Sequence, residues 1–180
     1  YYIDKSLLIR EIFNASASTI LIPRPRRFGK TLNLSTLRYF FEKTVSSNRS
    51  LFEGLQIEQD AEIMAQQGQY PVIYLTLKDV KEETQKTSYE GIKSEISDLY
   101  RSHQSVLQHE SVSEYEQEIY QKILTEKGTL TQYKKSLKFL IDLLARVNQK
   151  KVVVLIDEYD TPIHAAYQNG YYKEMIDFMR

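Results

Sequence analysis

The amino-acid sequence predicts an α/β fold in which a mainly parallel β-sheet is flanked by helices. Two observations carry this prediction. Three hydrophobic runs, at residues 19–22, 71–77 and 151–156, are dominated by β-branched and aliphatic residues, as expected of strands buried on both faces of a parallel sheet. The longer segments between them repeat apolar residues every three or four positions, which is the spacing of amphipathic helices.

Length and composition exclude several classes of protein. The 180 residues indicate one domain, or one domain and a fragment of a second. Lys+Arg and Asp+Glu are both 24, so net charge gives no argument for nucleic acid or membrane as a partner. The absence of cysteine excludes disulfides and thiolate metal sites and fits a cytoplasmic location. No apolar run approaches the roughly 20 residues that span a bilayer, and no signal-peptide pattern is present.

The elements of the N-terminal part follow the order that a phosphate-binding loop needs. Asp4 is placed to cap a helix over residues 7–13. The strand at residues 19–22 comes next, and the loop RPRRFGKT follows it at once. A helix is then predicted from about residue 31 to 43, with apolar positions at helical spacing: Leu34, Leu37, Phe40 and Phe41.

The remaining elements build the rest of the sheet and a helical insertion. A short helix over residues 60–67, ended by Gly68, precedes the strand at 71–77. A helical insertion then covers about residues 86–148 and includes helices predicted at residues 114–125 and about 131–148. Its apolar stripes are either core, which we favour, or a partner surface. The strand at 151–156 stops at Asp157-Glu158, and a last helix covers residues 171–180.

Residues 29–31, Gly-Lys-Thr, match the end of the phosphate-loop pattern G-x-x-x-x-G-K-[ST]. Backbone N–H groups at a helix start face an anion and the helix dipole favours it. Gly29 allows close approach of the backbone, Lys30 reaches the β- and γ-phosphates, and the Thr31 hydroxyl is a hard ligand for Mg²⁺. A short Gly-Lys-Thr also arises by chance, so this motif needs support from a second element.

Asp157 and Glu158 provide that second element, because parallel strands bring their carboxyl ends to one edge of a sheet. Asp157 is predicted to hold the same Mg²⁺, and Glu158 to polarise the attacking water as a general base. The alternative is a strand cap that faces water. Together, the strand–loop–helix unit and the strand with its two carboxylates predict a P-loop NTPase-type fold that binds Mg²⁺ with ATP.

The phosphate loop departs from the usual pattern at its first glycine. Arg24 occupies that position, between Pro23 and Pro25, which makes the turn stiffer and removes an N–H donor. The loop arginines either supply side-chain donors to the nucleotide instead, bind nucleic-acid phosphate, or face solvent. The predicted nucleotide-binding residues of this segment are Arg26, Arg27, Phe28, Gly29, Lys30, Thr31 and Leu32.

The stretches YYIDKS, RPRRFGKTLNLS and VVVLIDEYDTPIH closely resemble bacterial AAA-ATPase-like proteins over nearly the whole chain. In that family a P-loop ATPase domain is often followed by a PD-(D/E)XK nuclease-like domain. The resemblance implies a family-specific loop, and it implies that Tyr2, Asp4 and Lys5 lie near the adenine, with a helix cap and packing as the alternative. It also implies that nucleic acid is a partner through the linked C-terminal domain, and it leaves an oligomer open.

The same resemblance implies that residues 1–180 are the N-terminal part of the ATPase domain. The central strand, its polar sensor residue and any arginine finger normally follow the Asp-Glu strand, whereas only 20 residues follow Asp160 here. A truncated domain of this kind is expected to bind nucleotide weakly and to turn over little. Asp160 either assists the site or caps the next helix, and His164 is expected to be structural.

Three functions are compatible with these residues. The first is an ATP-hydrolysing switch, and the second is a nucleotide-binding module without turnover. The third is a nucleic-acid or protein interaction module in which the loop arginines meet phosphates. Glu158 favours the first, and the balanced charge disfavours the third. No guanine-selecting motif is present, which favours ATP over GTP.

Overall fold

A computed structural model describes residues 3–23 and 28–180. The chain divides into two compact units, Tyr1–Val72 and Ile73–Arg180, here called unit 1 and unit 2. Each unit is described by itself.

Unit 1 is a helical body built around α2. Helix α1 covers Leu8–Asn14, α2 covers Lys30–Phe41 and α3 covers Ala61–Met64, with 3₁₀ turns at Arg49–Phe52 and Gln56–Gln59. Phe40 is fully buried and meets the rings of Phe41 and Phe52 edge-on, with centroids 5.1 and 5.2 Å away. These edge-to-face contacts add to the burial of apolar area that holds α2 in place.

The prediction of a strand at residues 19–22 is wrong. Residues 19–23 form no strand, and the side chains of Ile20 and Leu21 are exposed. A strand needs a neighbour to satisfy its backbone N–H and C=O groups, and no described strand pairs with this run. The helix after the loop is confirmed, although it starts at Lys30 and ends at Phe41 rather than at 31 and 43.

The helix cap predicted for Asp4 is also wrong. Leu7 occupies the N-cap position of α1, and no capping hydrogen bond from a described side chain is present there. The Asp4 carboxylate instead accepts hydrogen bonds from the backbone N–H groups of Ser6 and Gln56, both at 2.8 Å. One donor two residues away and one donor 52 residues away in the chain therefore replace the helix terminus as its partners.

Unit 2 packs helices against a small parallel sheet. Strands β1 (Val72–Thr76) and β2 (Val153–Asp157) are neighbours. The helices are α4 (Gln85–Ser102), α5 (Glu114–Leu124), α6 (Leu130–Asn148), α7 (Thr161–Gln168) and α8 (Tyr172–Met179), with a 3₁₀ turn at Gln104–Gln108. The α/β architecture is thus confirmed, and the described part of the sheet has two strands. The extent of the predicted domain and of its insertion stay predictions.

Side-chain caps fix where the long helices of unit 2 begin. Ser113 and Glu116 form a capping box at the start of α5, and Thr129 and Gln132 form another at the start of α6. Each box satisfies backbone N–H groups that lack partners within the helix. The sequence signals for these helices were therefore local, which explains why their predicted bounds agree closely with the structure.

The apolar stripes of α4, α5 and α6 form the core of unit 2, as we favoured. Ile92, Leu99 and Leu140 are buried in one cluster. The buried tyrosines of this core are hydrogen-bonded: the hydroxyl of Tyr100 donates to the carbonyl of Ser136 at 2.8 Å. Burial raises the pKa of the Tyr100 hydroxyl, and the neighbouring Tyr120 adds to the effect, so this group stays a neutral donor.

In the described residues, no helix has both the length and the apolar character that a bilayer crossing requires.

Candidate functional site

Gly29 shapes the start of α2 in unit 1. Its φ of +74° lies in the left-handed region, which glycine adopts without the steric cost of a Cβ. The Gly29 carbonyl accepts the first helical hydrogen bond from Asn33 N–H at 2.9 Å. No side chain of the described residues forms a capping hydrogen bond at this helix start. A twelve-residue helix therefore begins directly after a glycine turn, which meets one requirement of the phosphate-loop prediction, whereas the strand required before the loop is absent from residues 19–23.

The residues around Gly29 are accessible. Lys30 is half-buried, Thr31 and Leu32 are exposed, and the Phe28 ring is 58% exposed. Lys5 brings a second ammonium group to this place, because its Nζ lies 3.9 Å from the position that a Cβ on Gly29 would take. The helix start thus combines outward-facing backbone donors with a cation from another segment, and both attract anions.

The segment that carries Lys5 is held by its neighbours. Besides the two bonds of Asp4, the buried Ser6 hydroxyl accepts a hydrogen bond from the N–H of Ile57 at 3.1 Å. Burial acts to raise the pKa of Asp4, but the hydrogen bonds from Gln56 and Ser6 outweigh it and hold the pKa below its usual value. Asp4 therefore fixes the backbone beside Lys5.

A cavity of about 310 Å³ opens between the N-terminal segment, α1 and α2. Four of the predicted nucleotide-binding residues line it: Lys5, Phe28, Gly29 and Leu32. Its volume is at the lower end of the range of roughly 300–1,000 Å³ for small-molecule sites. The structure thus brings together residues that the sequence reasoning had selected from two separate segments.

Asn33 also lines this cavity, and the sequence reasoning missed it. Its side chain is 6% exposed, and its Nδ2 has no hydrogen-bond partner within the described part of the chain. The signal was present in the helical spacing, since Asn33 lies one turn before Leu37. A polar residue therefore occupies a position of the stripe that packing alone would fill with an apolar one.

The two carboxylates lie at the end of β2 in unit 2. Asp157 is buried, and its backbone carbonyl accepts the N–H of Leu77 at 3.1 Å. Glu158 follows with a φ of +51°, which is uncommon for a residue with a Cβ and turns the chain sharply after the strand. The Glu158 Oε2 accepts a hydrogen bond from the Thr161 hydroxyl at 3.3 Å.

Asp160 and His164 form a local pair on α7. Asp160 occupies the N-cap position but makes no capping hydrogen bond with its side chain. Its Oδ2 lies 3.5 Å from the Nε2 of His164, and both side chains are largely exposed. An exposed pair of this kind contributes little to stability.

The residues assigned to Mg²⁺ provide the oxygen ligands that a nucleotide-bound magnesium ion prefers. In ATP sites this ion is held by one or two carboxylates and the phosphates, with several waters retained. An exposed Thr31 hydroxyl and the Asp157 carboxylate are oxygen donors of that class. Within residues 3–23 and 28–180, no three His, Cys, Asp or Glu side chains are grouped so as to hold a metal ion by themselves.

Some predicted contacts stay predictions. Tyr2, Arg26 and Arg27 lie outside the described residues. Lys30 belongs to unit 1, whereas Asp157 and Glu158 belong to unit 2, so their predicted convergence on one magnesium triphosphate is a question for experiment.

Comparisons with known proteins give one positive result. No curated protein and no solved structure matches the chain significantly. The model of a family described as predicted AAA-ATPase matches residues 1–180. The chain therefore belongs to the AAA-ATPase-like family.

Proposed function

We propose that this protein binds ATP with Mg²⁺ and hydrolyses its terminal phosphoanhydride bond to drive a conformational switch. The observation that carries the proposal is the left-handed Gly29 directly before the uncapped start of α2, in a chain of the AAA-ATPase-like family. The Lys5 ammonium beside Gly29 supports the same assignment, because a triphosphate is the multiply charged anion that such a site would attract.

Each residue has a defined task in this proposal. The backbone N–H groups at the start of α2 bind phosphate oxygens, and Lys30 reaches the β- and γ-phosphates. Thr31 and Asp157 would hold Mg²⁺, which when bound neutralises charge on the phosphates. Glu158 orients the attacking water and accepts its proton. The positive φ of Glu158 supports a role at this strand end, since residues held in uncommon backbone conformations cluster at functional sites.

The first test is direct binding of ATP in the presence of Mg²⁺, measured by calorimetry. The Lys30→Ala change should weaken binding roughly 10- to 100-fold, because a hydrogen bond to a charged group contributes about 1.5–3 kcal/mol. Lys43→Ala is the matched control, since it removes the same charge from an exposed site after the other end of α2. Equal affinity of the Lys30→Ala and Lys43→Ala variants would show that the phosphate assignment is wrong.

The second test is phosphate release. The Glu158→Gln change keeps the size of the side chain but removes the base, so it should preserve ATP binding and abolish turnover. Glu174→Gln, at an exposed position of unit 2, is the control for loss of one carboxylate. Turnover that survives the Glu158→Gln change would remove Glu158 from the mechanism.

A nucleotide-binding module without turnover is the second candidate. The hydrogen bond from the Thr161 hydroxyl favours it, because this bond occupies an oxygen of the Glu158 carboxylate that would otherwise meet water. Wild-type protein that binds ATP tightly and releases no phosphate would support this candidate over hydrolysis.

A further inference from the structure

Thr161, the first residue of α7, makes two hydrogen bonds to Glu158. Its backbone N–H donates to the Glu158 carbonyl at 3.1 Å, and its hydroxyl donates to the Glu158 Oε2 at 3.3 Å. The first bond closes the turn that follows β2, and the second constrains the direction of the carboxylate. One residue therefore contacts both the backbone and the side chain of the group that the proposed reaction uses as its base.

The backbone of Glu158 needs such support. Its φ of +51° lies in the left-handed region, where a residue with a Cβ meets steric strain. A conformation of this kind persists only where the surrounding structure holds it, and the bond from the Thr161 N–H is a contact that does so. Glu158 is thus kept in an uncommon backbone conformation directly after the strand, and its side chain has a donor in the same place.

Thr161 is itself restrained, as a positioning group must be. Its branched Cβ restricts rotation about χ1. The next residue, Pro162, is fully buried and fixes its own φ at the start of the helix. Restraint matters because a displacement of about 1 Å in a reacting group can lower a rate roughly 100-fold. The hydroxyl of Thr161 therefore acts from a part of the chain with little freedom to move.

The hydrogen bond to Oε2 leaves the carboxylate able to act on water. A carboxylate has two oxygens that accept hydrogen bonds, so Oε1 can take a proton while Oε2 is held. Because the carboxylate group is planar, a bond that holds Oε2 also sets the direction of Oε1. A base that is oriented by a further group in this way is a recurring arrangement in enzymes.

We propose that Thr161 is a positioning residue for Glu158: its hydroxyl holds one carboxylate oxygen so that the other meets the attacking water. This inference rests on the proposed ATP-hydrolysing function and adds a residue that acts only through Glu158. In the step that it serves, the water oxygen bonds to the γ-phosphorus and the bond from that phosphorus to the β–γ bridging oxygen breaks. ADP leaves with the electron pair, the water proton goes to Glu158, and Thr161 keeps its own proton.

The first measurement is phosphate release over a range of ATP concentrations with Mg²⁺. Thr161→Val keeps the shape of the side chain and removes the donor, so kcat should fall about tenfold while the KM for ATP is unchanged. Thr161→Ser keeps the hydroxyl and should restore most of kcat. Thr125→Val is the matched control, because it removes a hydroxyl that donates to the Gln121 carbonyl elsewhere in unit 2, and it should leave kcat unchanged.

The second measurement does not depend on turnover. Carbodiimide coupling of glycine ethyl ester labels accessible carboxylates, and site-resolved peptide mass spectrometry gives the labelling rate of Glu158. This rate should rise about threefold in Thr161→Val, because a carboxylate released from its hydrogen bond is the better nucleophile. Thr161→Ser should return it towards the wild-type rate. Glu174, which is exposed in unit 2, is the internal reference and should label equally in all variants.

The two readouts separate this inference from the proposed function. If the wild type turns ATP over and Thr161→Val has the same or a higher kcat, the positioning role is overturned. Equal labelling of Glu158 in both proteins overturns it too, as does a fall in kcat that Thr161→Ser does not reverse. If ATP binds but the wild type releases no phosphate, hydrolysis fails as the proposed function, and the labelling rates alone decide whether Thr161 holds Glu158.

Discussion

Replacing Gly29 by alanine should separate the structural role of the glycine from its role in binding. A residue with a Cβ pays about 1–2 kcal/mol in the left-handed region, and alanine recovers roughly 0.4–1 kcal/mol by restricting the unfolded chain. Among the described residues, the added methyl meets only the Lys5 Nζ, at 3.9 Å, which is an ordinary contact. The expected net loss is therefore about 1 kcal/mol in the free energy of unfolding.

Gly54 provides a matched control within unit 1. Its φ of +75° is almost the same as that of Gly29, and a Cβ there would meet no atom of the described residues within 4 Å. Gly54→Ala should therefore lower the free energy of unfolding by a similar amount, corresponding to a melting temperature about 2–4 °C lower. Chemical denaturation followed by circular dichroism measures both variants under the same conditions.

The two variants should differ in ATP binding. Gly29→Ala puts a methyl group where the backbone must approach the phosphates, so its affinity for ATP with Mg²⁺ should fall at least tenfold, or by about 1.4 kcal/mol. Gly54→Ala should bind as the wild type does. Equal ATP affinity of the two variants would show that Gly29 does not contact phosphate. An unchanged free energy of unfolding of Gly29→Ala would show that Gly29 does not adopt the left-handed conformation.

Two further predictions concern stability. Asp4→Asn should lower the free energy of unfolding by about 1 kcal/mol near neutral pH, because it weakens the two backbone hydrogen bonds of a half-buried carboxylate. The folded-state pKa of Asp4 is lowered, so the stabilisation by its carboxylate is fully present above the usual pKa near 4 and is lost as pH falls through the lowered pKa. Denaturation measured from pH 7 to pH 2.5 checks whether the difference in free energy of unfolding between Asp4→Asn and the wild type disappears in acid. Tyr100→Phe should lower the free energy of unfolding by about 1 kcal/mol, because it removes the buried hydrogen bond from the Tyr100 hydroxyl to the Ser136 carbonyl. Tyr115→Phe, at a side chain that is 71% exposed, should change the free energy of unfolding by less than about 0.5 kcal/mol.

The sequence predicted best those elements whose signals are local. The helices α5 and α6 begin at Glu114 and Leu130, next to their capping boxes, close to the predicted starts. The strand ending at Asp157 was predicted from its unbroken aliphatic run and is confirmed. In each case the residues that determine the element lie within it or beside it, so one segment of sequence contains the information.

The sequence failed where the outcome depends on distant partners. The run at residues 19–22 has strand composition, but a strand forms only with a hydrogen-bonded neighbour, and composition does not reveal one. Asp4 looked like a helix cap because the competing donor, Gln56 N–H, lies 52 residues away in the chain. Asn33 was overlooked because the motif drew attention to Gly29, Lys30 and Thr31, while the cavity wall is a property of packing.

The hydrogen bonds that hold the N-terminal segment have a consequence for truncated variants of this protein. The backbone N–H groups of Gln56 and Ile57 donate hydrogen bonds to the side chains of Asp4 and Ser6 and hold this segment in place. Lys5 lies between Asp4 and Ser6 in the chain. A version that starts after residue 6 would lose these hydrogen bonds, the Lys5 ammonium and one wall of the cavity in unit 1. Such a shortened protein could keep its entire phosphate motif and still bind ATP poorly, so a bulky tag is better placed at the other terminus.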